Sequence, residues 1–226
     1  MWWAILLSAA LGYAVGSVQF GLIVSRLTRG IDVREYGSGA TGATNVIRTS
    51  GAKAGIAVLL LDIAKGIVPV YAAIGIGHLA DLDSVDDRAW CAAAAALAAV
   101  IGHVWPVYHG FRGGKAVATG FGGALAMNPL ASLALVPVAA LVVGVTRIMS
   151  VLSITMAPLL AAVFVALAIV DVSPPAYAFY AVPAAAIILY RHSANIRRLL
   201  DGTEPKIGQG GERRADAASA SAATER

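Results

Sequence analysis

Seven stretches of this chain are apolar over lengths that a soluble domain of its size cannot bury: 3–25, 54–78, 89–107, 116–127, 131–146, 150–170 and 176–191. A helix crosses the hydrocarbon of a bilayer with roughly 20 apolar residues, fewer where protein surrounds it. Hydrophobic residues make up 58% of the 226 residues and charged residues 13%, against about 25% charged in an average soluble domain. Lipid accepts such apolar surface directly, provided the backbone satisfies its own hydrogen bonds, which helices do. The expected fold is therefore an all-α integral membrane bundle of seven transmembrane helices. The count falls to five if neither the short, glycine-rich fourth run nor the fifth spans. Asn128-Pro129 and Asp171-Val-Ser-Pro-Pro175 are strong breakers between neighbouring runs.

The first run holds no Lys or Arg before Arg26 and lacks the basic front of a secretory signal, so it reads as a retained helix. Cations then give an orientation. Arg26, Arg29, Arg34, Arg48 and Lys53 lie between runs one and two, Arg112 and Lys115 before run four, Arg147 after run five, and Arg191, Arg197, Arg198 and Lys206 after run seven. The loop 81–88 is acidic with one Arg. An outside N-terminus and a cytoplasmic C-terminus put every cationic group on the cytoplasmic face of the cell membrane. After Ile207 the chain turns to Gly, Ala, Ser and charge, so a single transmembrane catalytic domain is expected over 1–207 and a disordered cytoplasmic tail over 208–226. The net charge of +4 reflects this retention rather than nucleic-acid binding, since no interleaved aromatic and basic platform is present. One cysteine, Cys91, excludes an intramolecular disulfide and argues against a thiolate metal site.

Three polar segments on that face carry the candidate chemistry. In the first, 37–48, Gly37, Gly39 and Gly42 free the backbone to curl N–H groups around an anion, and Ser38, Thr41 and Thr44 add hydroxyls. Asn45-Val-Ile-Arg48 reads as a first helical turn, where phosphate is favoured, with Arg48 as a bidentate clamp. In the second, 102–119, Arg112, Gly113, Gly114 and Lys115 sit where a helix restarts. It is not a nucleotide P-loop, because His109 and Ala116 stand where that motif needs Gly and Ser or Thr. In the third, 192–206, His192 and Asn195 share a helical face. A flexible connector, a snorkelling cation and an amphipathic surface helix would produce similar patterns in the three segments. Asp62 and Lys65, spaced i, i+3 in the second run, can neutralise each other at membrane depth, where ionisable groups are expensive.

Taken together, the segments resemble the bacterial acyl-phosphate-dependent glycerol-3-phosphate acyltransferase family. The elements are Gly37-Ser-Gly…Gly42-Ala-Thr-Asn…Arg48, Asp62-x-x-Lys-Gly66, Gly102-His…Pro106…Phe111-x-Gly-Gly-Lys115…Ala118-Thr119 and His192-x-x-Asn-Ile-x-Arg198…Gly202-Thr-Glu204. The resemblance implies a compact seven-helix membrane fold with its active site open to the cytoplasm. It implies transfer of a fatty acyl group from acyl phosphate to the 1-hydroxyl of glycerol 3-phosphate, giving lysophosphatidate and phosphate. It also implies catalytic roles for Ser38, Arg48, Lys115, His192 and Asn195, and substrate binding by Gly37, Gly39, Thr41, Gly42, Thr44, Asn45, Arg112, Gly113 and Gly114. No metal and no cofactor are implied, and the acyl phosphate's own oxygen takes the hydroxyl proton.

The chain departs from the family pattern twice. Ala40 stands where Asn is usual after Gly-Ser-Gly, and Ala116 ends the usual Gly-Gly-Lys-Gly. Those departures leave open an inactive member acting as a lipid-binding or partner scaffold. Polar glycine segments among apolar helices also fit a small anion transporter, although no repeated halves are visible. The one His-x4-Asp match, His78 with Asp83, falls in the acidic loop, away from every anion-binding segment.

Overall fold

The computed structural model describes residues 1–216, and among them every regular element is a helix. The N-terminal run divides into α1 (Trp2–Gly16) and α2 (Phe20–Arg29). A polar loop leads to the short α3 (Ala43–Ser50), and α4 (Ala52–Leu79) follows after Gly51. Next come α5 (Val85–Val104), α6 (Val117–Met127), α7 (Pro129–Ala134), α8 (Val136–Thr146), α9 (Met149–Ile169), α10 (Pro175–Arg191) and α11 (Ser193–Leu200). Two of them start on a side-chain cap. Ser84 accepts from the Asp87 N–H at the start of α5, and Asn128 accepts from Ala131 N–H at the start of α7.

Five stretches are long and apolar enough to cross a bilayer: Trp2–Arg29, Ala52–Leu79, Val85–His109, Pro129–Thr146 and Met149–Ile169. The seventh expected run is α10, with 17 residues, or roughly 25 Å of helix. The fourth is α6, with 11 residues, roughly 16 Å and too short to cross alone. It survives because protein encloses it. Thr119, Gly120, Gly122, Gly123 and Ala124 are all buried, and the Tyr180 hydroxyl of α10 donates to the Gly120 carbonyl. By contrast α8 buries no residue at all, which leaves it as a lipid-facing flank.

The tightest packing is between α1 and α5. Gly12 and Gly16 of α1 lie on the backbone of Ala95 and Ala99 of α5, so close that a Cβ at either glycine would overlap main-chain atoms. Lipid tails supply no hydrophobic drive for helix association, and close backbone approach through small residues replaces it. Beside this contact the core is built largely of alanine, including Ala92, Ala93, Ala96 and Ala99, with Tyr180 and Phe164 filling the wider gaps.

The three polar segments gather at one end of the bundle. Arg48 donates to the Pro205 carbonyl, Lys115 to Asn195, and Ile207 N–H to the Arg147 carbonyl. His78 and Asp83 lie instead at the end of α4 and in the loop before α5. Of the tail expected over 208–226, residues 208–216 lie beside the first polar segment, where the Glu212 carbonyl accepts from Gly37 N–H. Residues 217–226 lie outside the described residues.

Gly12→Leu is expected to destabilise the detergent-solubilised protein by about 1–3 kcal/mol, or roughly 2–10 °C in Tm. Gly75→Leu, at a lipid-facing glycine with nothing within 4 Å of its would-be Cβ, should leave Tm unchanged. Thermal unfolding of both variants in the same detergent checks this.

Candidate active site

The first polar segment is organised by buried side chains. Asp32 accepts from Arg34 N–H at 3.0 Å and from its guanidinium at 2.7 Å, closing a short helical turn at Val33–Glu35. The hydrogen bonds from Arg34 hold the Asp32 carboxyl down to about 2. Asn45 then pins the loop from inside α3. Its amide donates to the carbonyls of Val33, Tyr36 and Ala40 at 2.9–3.1 Å, and its Oδ1 accepts from Ser38 N–H at 3.1 Å.

These bonds change how the loop can hold an anion. The expectation is that N–H groups of the Gly37–Gly42 curl point inward. Instead Gly37 N–H goes to the Glu212 carbonyl, Ser38 N–H to Asn45 and Gly39 N–H to the Tyr36 carbonyl. The N–H groups of Ala43 and Thr44, in the first turn of α3, have no partner among the described residues, and this turn begins two residues earlier than the predicted one at Asn45. Gly42, Ala43 and Thr44 line the cavity there, where the unpaired N–H groups and helix dipole suit an anion.

That cavity has a volume of about 390 Å³. Its polar end carries Ser38, Arg48, Lys115, His192, Asn195 and Glu204, and its apolar arm runs between Leu59, Phe121, Leu135, Met156 and Leu160. A second, polar compartment of about 250 Å³ meets it at Ser38, Ala40, Lys115 and Asn195, and adds Gly39, Arg191, Ser193 and Arg198.

A chain of polar contacts crosses the polar end. Lys115 Nζ donates to Asn195 Oδ1 at 2.5 Å, Asn195 Nδ2 donates to Glu204 Oε1 at 2.6 Å, and Arg198 Nε donates to Glu204 Oε2 at 2.8 Å. Burial opposes ionisation of Glu204, but hydrogen bonds from Asn195 and Arg198 outweigh it and hold the carboxyl below its ordinary value. Burial pushes the Lys115 ammonium down to about 8, against the attraction of Glu204 and with the repulsion of Arg198, Arg48 and Arg191. Arg48 is lowered by burial as well. Burial, with Lys115 nearby, takes the His192 imidazole down to about 4, so it is neutral near pH 7. Its Nδ1 lies 2.7 Å from the Ile188 carbonyl. With the proton on Nδ1, Nε2 is left as an acceptor.

Several expected ligands stand elsewhere. Thr41 is buried and its hydroxyl donates to Gln19 Oε1 at 2.5 Å, outside both compartments. Asn45 does border the cavity, but its amide serves the loop's own carbonyls. Arg112 is exposed and lines neither compartment. Gly113 and Gly114 are buried, with their N–H groups on the carbonyls of Val104 and His103. They receive Arg191 through their own carbonyls, so they seat Lys115 rather than face a ligand. Ala116 follows in a left-handed conformation, φ 59°. The reason glycine suits this position is therefore backbone conformation.

Glu204, Arg191 and Arg198 are site residues that the sequence reading did not select. Glu204 and Arg198 carried a weak signal as part of the third motif, but only packing of 192–206 against Lys115 gives them a role. Asp62 and Lys65 do pair, at 3.0 Å, with His103 Nδ1 3.8 Å from Asp62. Asp62 and His103 both border the cavity.

With this geometry in hand, comparison with known proteins is specific. The family model described as glycerol-3-phosphate acyltransferase matches residues 6–202. A glycerol-3-phosphate acyltransferase of Rippkaea orientalis is 41% identical over 213 residues, 92% of this chain and 96% of that protein. One from Anaeromyxobacter sp. is 44% identical over 203 residues, 89% of this chain and 96% of the relative. The crystal structure of PlsY (YgiH), an integral membrane glycerol 3-phosphate acyltransferase, in its glycerol 3-phosphate form superimposes with a TM-score of 0.76 at 36% identity. That likeness covers 90% of this chain and 96% of the other.

Ala116→Gly is expected to relieve the left-handed strain and stabilise the fold by about 1 kcal/mol. Chemical denaturation or thermal unfolding against the parent reads it, and an unchanged or lower stability would contradict the strain argument.

Proposed function

The chain belongs to the glycerol-3-phosphate acyltransferase family, and from that premise we propose that it moves a fatty acyl group from acyl phosphate to the 1-hydroxyl of glycerol 3-phosphate. The products are lysophosphatidate (1-acyl-glycerol 3-phosphate) and inorganic phosphate, and the lipid product enters phospholipid synthesis. The observation that carries this reading is the joining of two compartments of opposite character at Ser38 and Lys115. A long apolar arm with a cationic head suits an acyl phosphate. The adjoining polar compartment suits a small, fully polar phosphate ester. The chain is a multi-pass membrane protein, and we place its cationic end at the cytoplasmic face of the cell membrane because retained Lys and Arg mark that side. Seven passes, with α6 as a short enclosed leg, and a catalytic domain over 1–207 complete this reading.

Each residue then has a role. The acyl phosphate head lies against Ser38, Gly42, Thr44 and the start of α3. Arg48 and Lys115 neutralise the leaving phosphate, and Asn195 aims the Lys115 ammonium. Arg191 and Arg198 hold the phosphate of the acceptor. His192, neutral and a weak base, accepts a hydrogen bond from the acceptor hydroxyl at Nε2 and orients it without taking its proton. The hydroxyl oxygen bonds to the carbonyl carbon, the carbonyl–oxygen–phosphorus link breaks at carbon, and the proton leaves on phosphate. Preorganised cations at the developing charge and the alignment of two bound substrates supply the acceleration. No step calls for a metal or cofactor.

Purified protein given palmitoyl phosphate and labelled glycerol 3-phosphate should release lysophosphatidate, with none from palmitoyl-CoA supplied in parallel. Arg48→Ala and Lys115→Ala should each lower kcat/KM by about a hundredfold or more, the scale of losing one charge-stabilising donor. Folded, membrane-inserted protein that makes no product from either donor would instead support the scaffold reading.

The pH dependence follows from Lys115. Its protonated form binds phosphate, and in the free enzyme it loses its proton through about 8. kcat/KM should therefore be level near pH 7 and fall about tenfold per unit well above 8. A phosphate ester is already dianionic there, its second pKa being about 6, so the substrate adds no slope. Lys115→Arg should remove this alkaline limb, and its persistence would reassign the ionisation.

A further inference from the structure

Beyond Leu200 the chain does not leave the site. It turns at Gly202, presents Glu204 to Asn195 and Arg198, and returns across the first polar segment as a strap over 203–214. The family match ends at residue 202, so this strap lies past it. Four contacts seat it. The Pro205 carbonyl accepts from Arg48, Ile207 N–H donates to the Arg147 carbonyl, and Glu212 accepts from Gly37 N–H. Arg213 pairs antiparallel with Tyr36 and reaches Glu35 at 3.3 Å. The approach is close enough that a Cβ at Gly211 would meet the Arg48 backbone, and one at Gly37 would meet the Gly210 carbonyl.

The strap delivers a guanidinium to the mouth of the polar compartment. Arg214 lies on Gly39, its Nη1 occupying the space a Cβ there would need. Gly39 lines that compartment beside Ser38, Lys115, Arg191 and Arg198. Arg213 is engaged by Glu35, whereas Arg214 has no carboxylate within ion-pair distance among the described residues. Its charge is therefore not neutralised by any described carboxylate. We propose that the strap is part of the acceptor site and that Arg214 is a further binding residue for the phosphate of glycerol 3-phosphate. It draws the dianion to the compartment and holds it at the outer edge.

This inference rests on the acyl-phosphate reaction above, and the test separates the two. Initial rates are measured in an uncharged detergent, varying each substrate with the other saturating. Arg214→Ala should raise KM for glycerol 3-phosphate about three- to tenfold, the worth of one exposed charge-assisted hydrogen bond. KM for palmitoyl phosphate and kcat should stay unchanged, and Arg214→Lys should recover part of the loss. The increase should shrink as salt screens the charge. A chain ending at Ile207 should show at least as large an increase. If both variants keep the parent's KM for glycerol 3-phosphate while Arg48→Ala is inactive, the strap proposal is overturned and the reaction stands. Equal increases in both KM values would also overturn it, by making the strap a general support. An effect that appears only in anionic bilayers would assign Arg214 to lipid headgroups and equally overturn it. An active parent that takes only palmitoyl-CoA would remove the donor reading while leaving the Arg214 comparison intact.

Discussion

A polar group at membrane depth must find its partner inside the protein, and in this chain that demand shapes the region beneath the site. The N-terminal helix stops at Gly16 and restarts at Phe20, which frees backbone groups that a continuous helix would satisfy. Lys65 of α4 donates to the Val18 carbonyl at 2.6 Å while pairing with Asp62. Gln19 donates to the His103 carbonyl and accepts from Thr41. The break is thus closed by the Lys65 side chain of α4, a main-chain carbonyl of α5 and the Thr41 hydroxyl of the first polar loop together. A buried ammonium and carboxylate are expensive to desolvate, and their mutual pairing and the Val18 carbonyl offset that cost.

From this junction the site rises toward the membrane surface. Thr41 anchors one end of the loop to Gln19, Asn45 ties the other end to α3, and the glycines of 113–114 lie on the His103 main chain. Lys115 and Ser38 are therefore presented by elements that all rest on the same buried network. Around them stand Arg48, Arg191 and Arg198 with one carboxylate, Glu204. The cations crowd one another there. Lys115 is easy to deprotonate because it is buried and, to a lesser degree, because of that crowding; negative charge placed within contact distance would oppose both effects.

The apolar runs, the cationic end and the i, i+3 pair of Asp62 and Lys65 were legible in the sequence because each is a local property. Hydropathy is set by consecutive residues, and a three-residue helical offset leaves little choice of partner. The individual site residues were legible less evenly. Ser38, Arg48, Lys115, His192 and Asn195 do come together at one cavity end, and Asn45 borders it while its amide holds the loop; Thr41, Gly113 and Gly114 lie outside both compartments and Arg112 is exposed. Nothing in a loop's composition tells whether a hydroxyl or amide faces a ligand or its own backbone. That is decided by which acceptor lies nearer once the chain is packed.

The sequence by itself determined a helical membrane protein, with its polar segments at one end and the family to which it belongs, since hydrophobic length, charge placement and motif order need no tertiary information. Only the tertiary structure decided that the N–H groups of the Gly37–Gly39 curl are taken by the chain itself, while those at the first turn of α3 stay unpaired among the described residues. It likewise decided that Glu204 steadies Asn195 and that Arg214 reaches Gly39. The contacts of Lys115 with Asn195 and of Arg48 with Pro205 join residues 80 and 157 apart in sequence. At such separations a donor's partner is set by how the helices pack, and many acceptors of equal chemistry compete until that packing is complete.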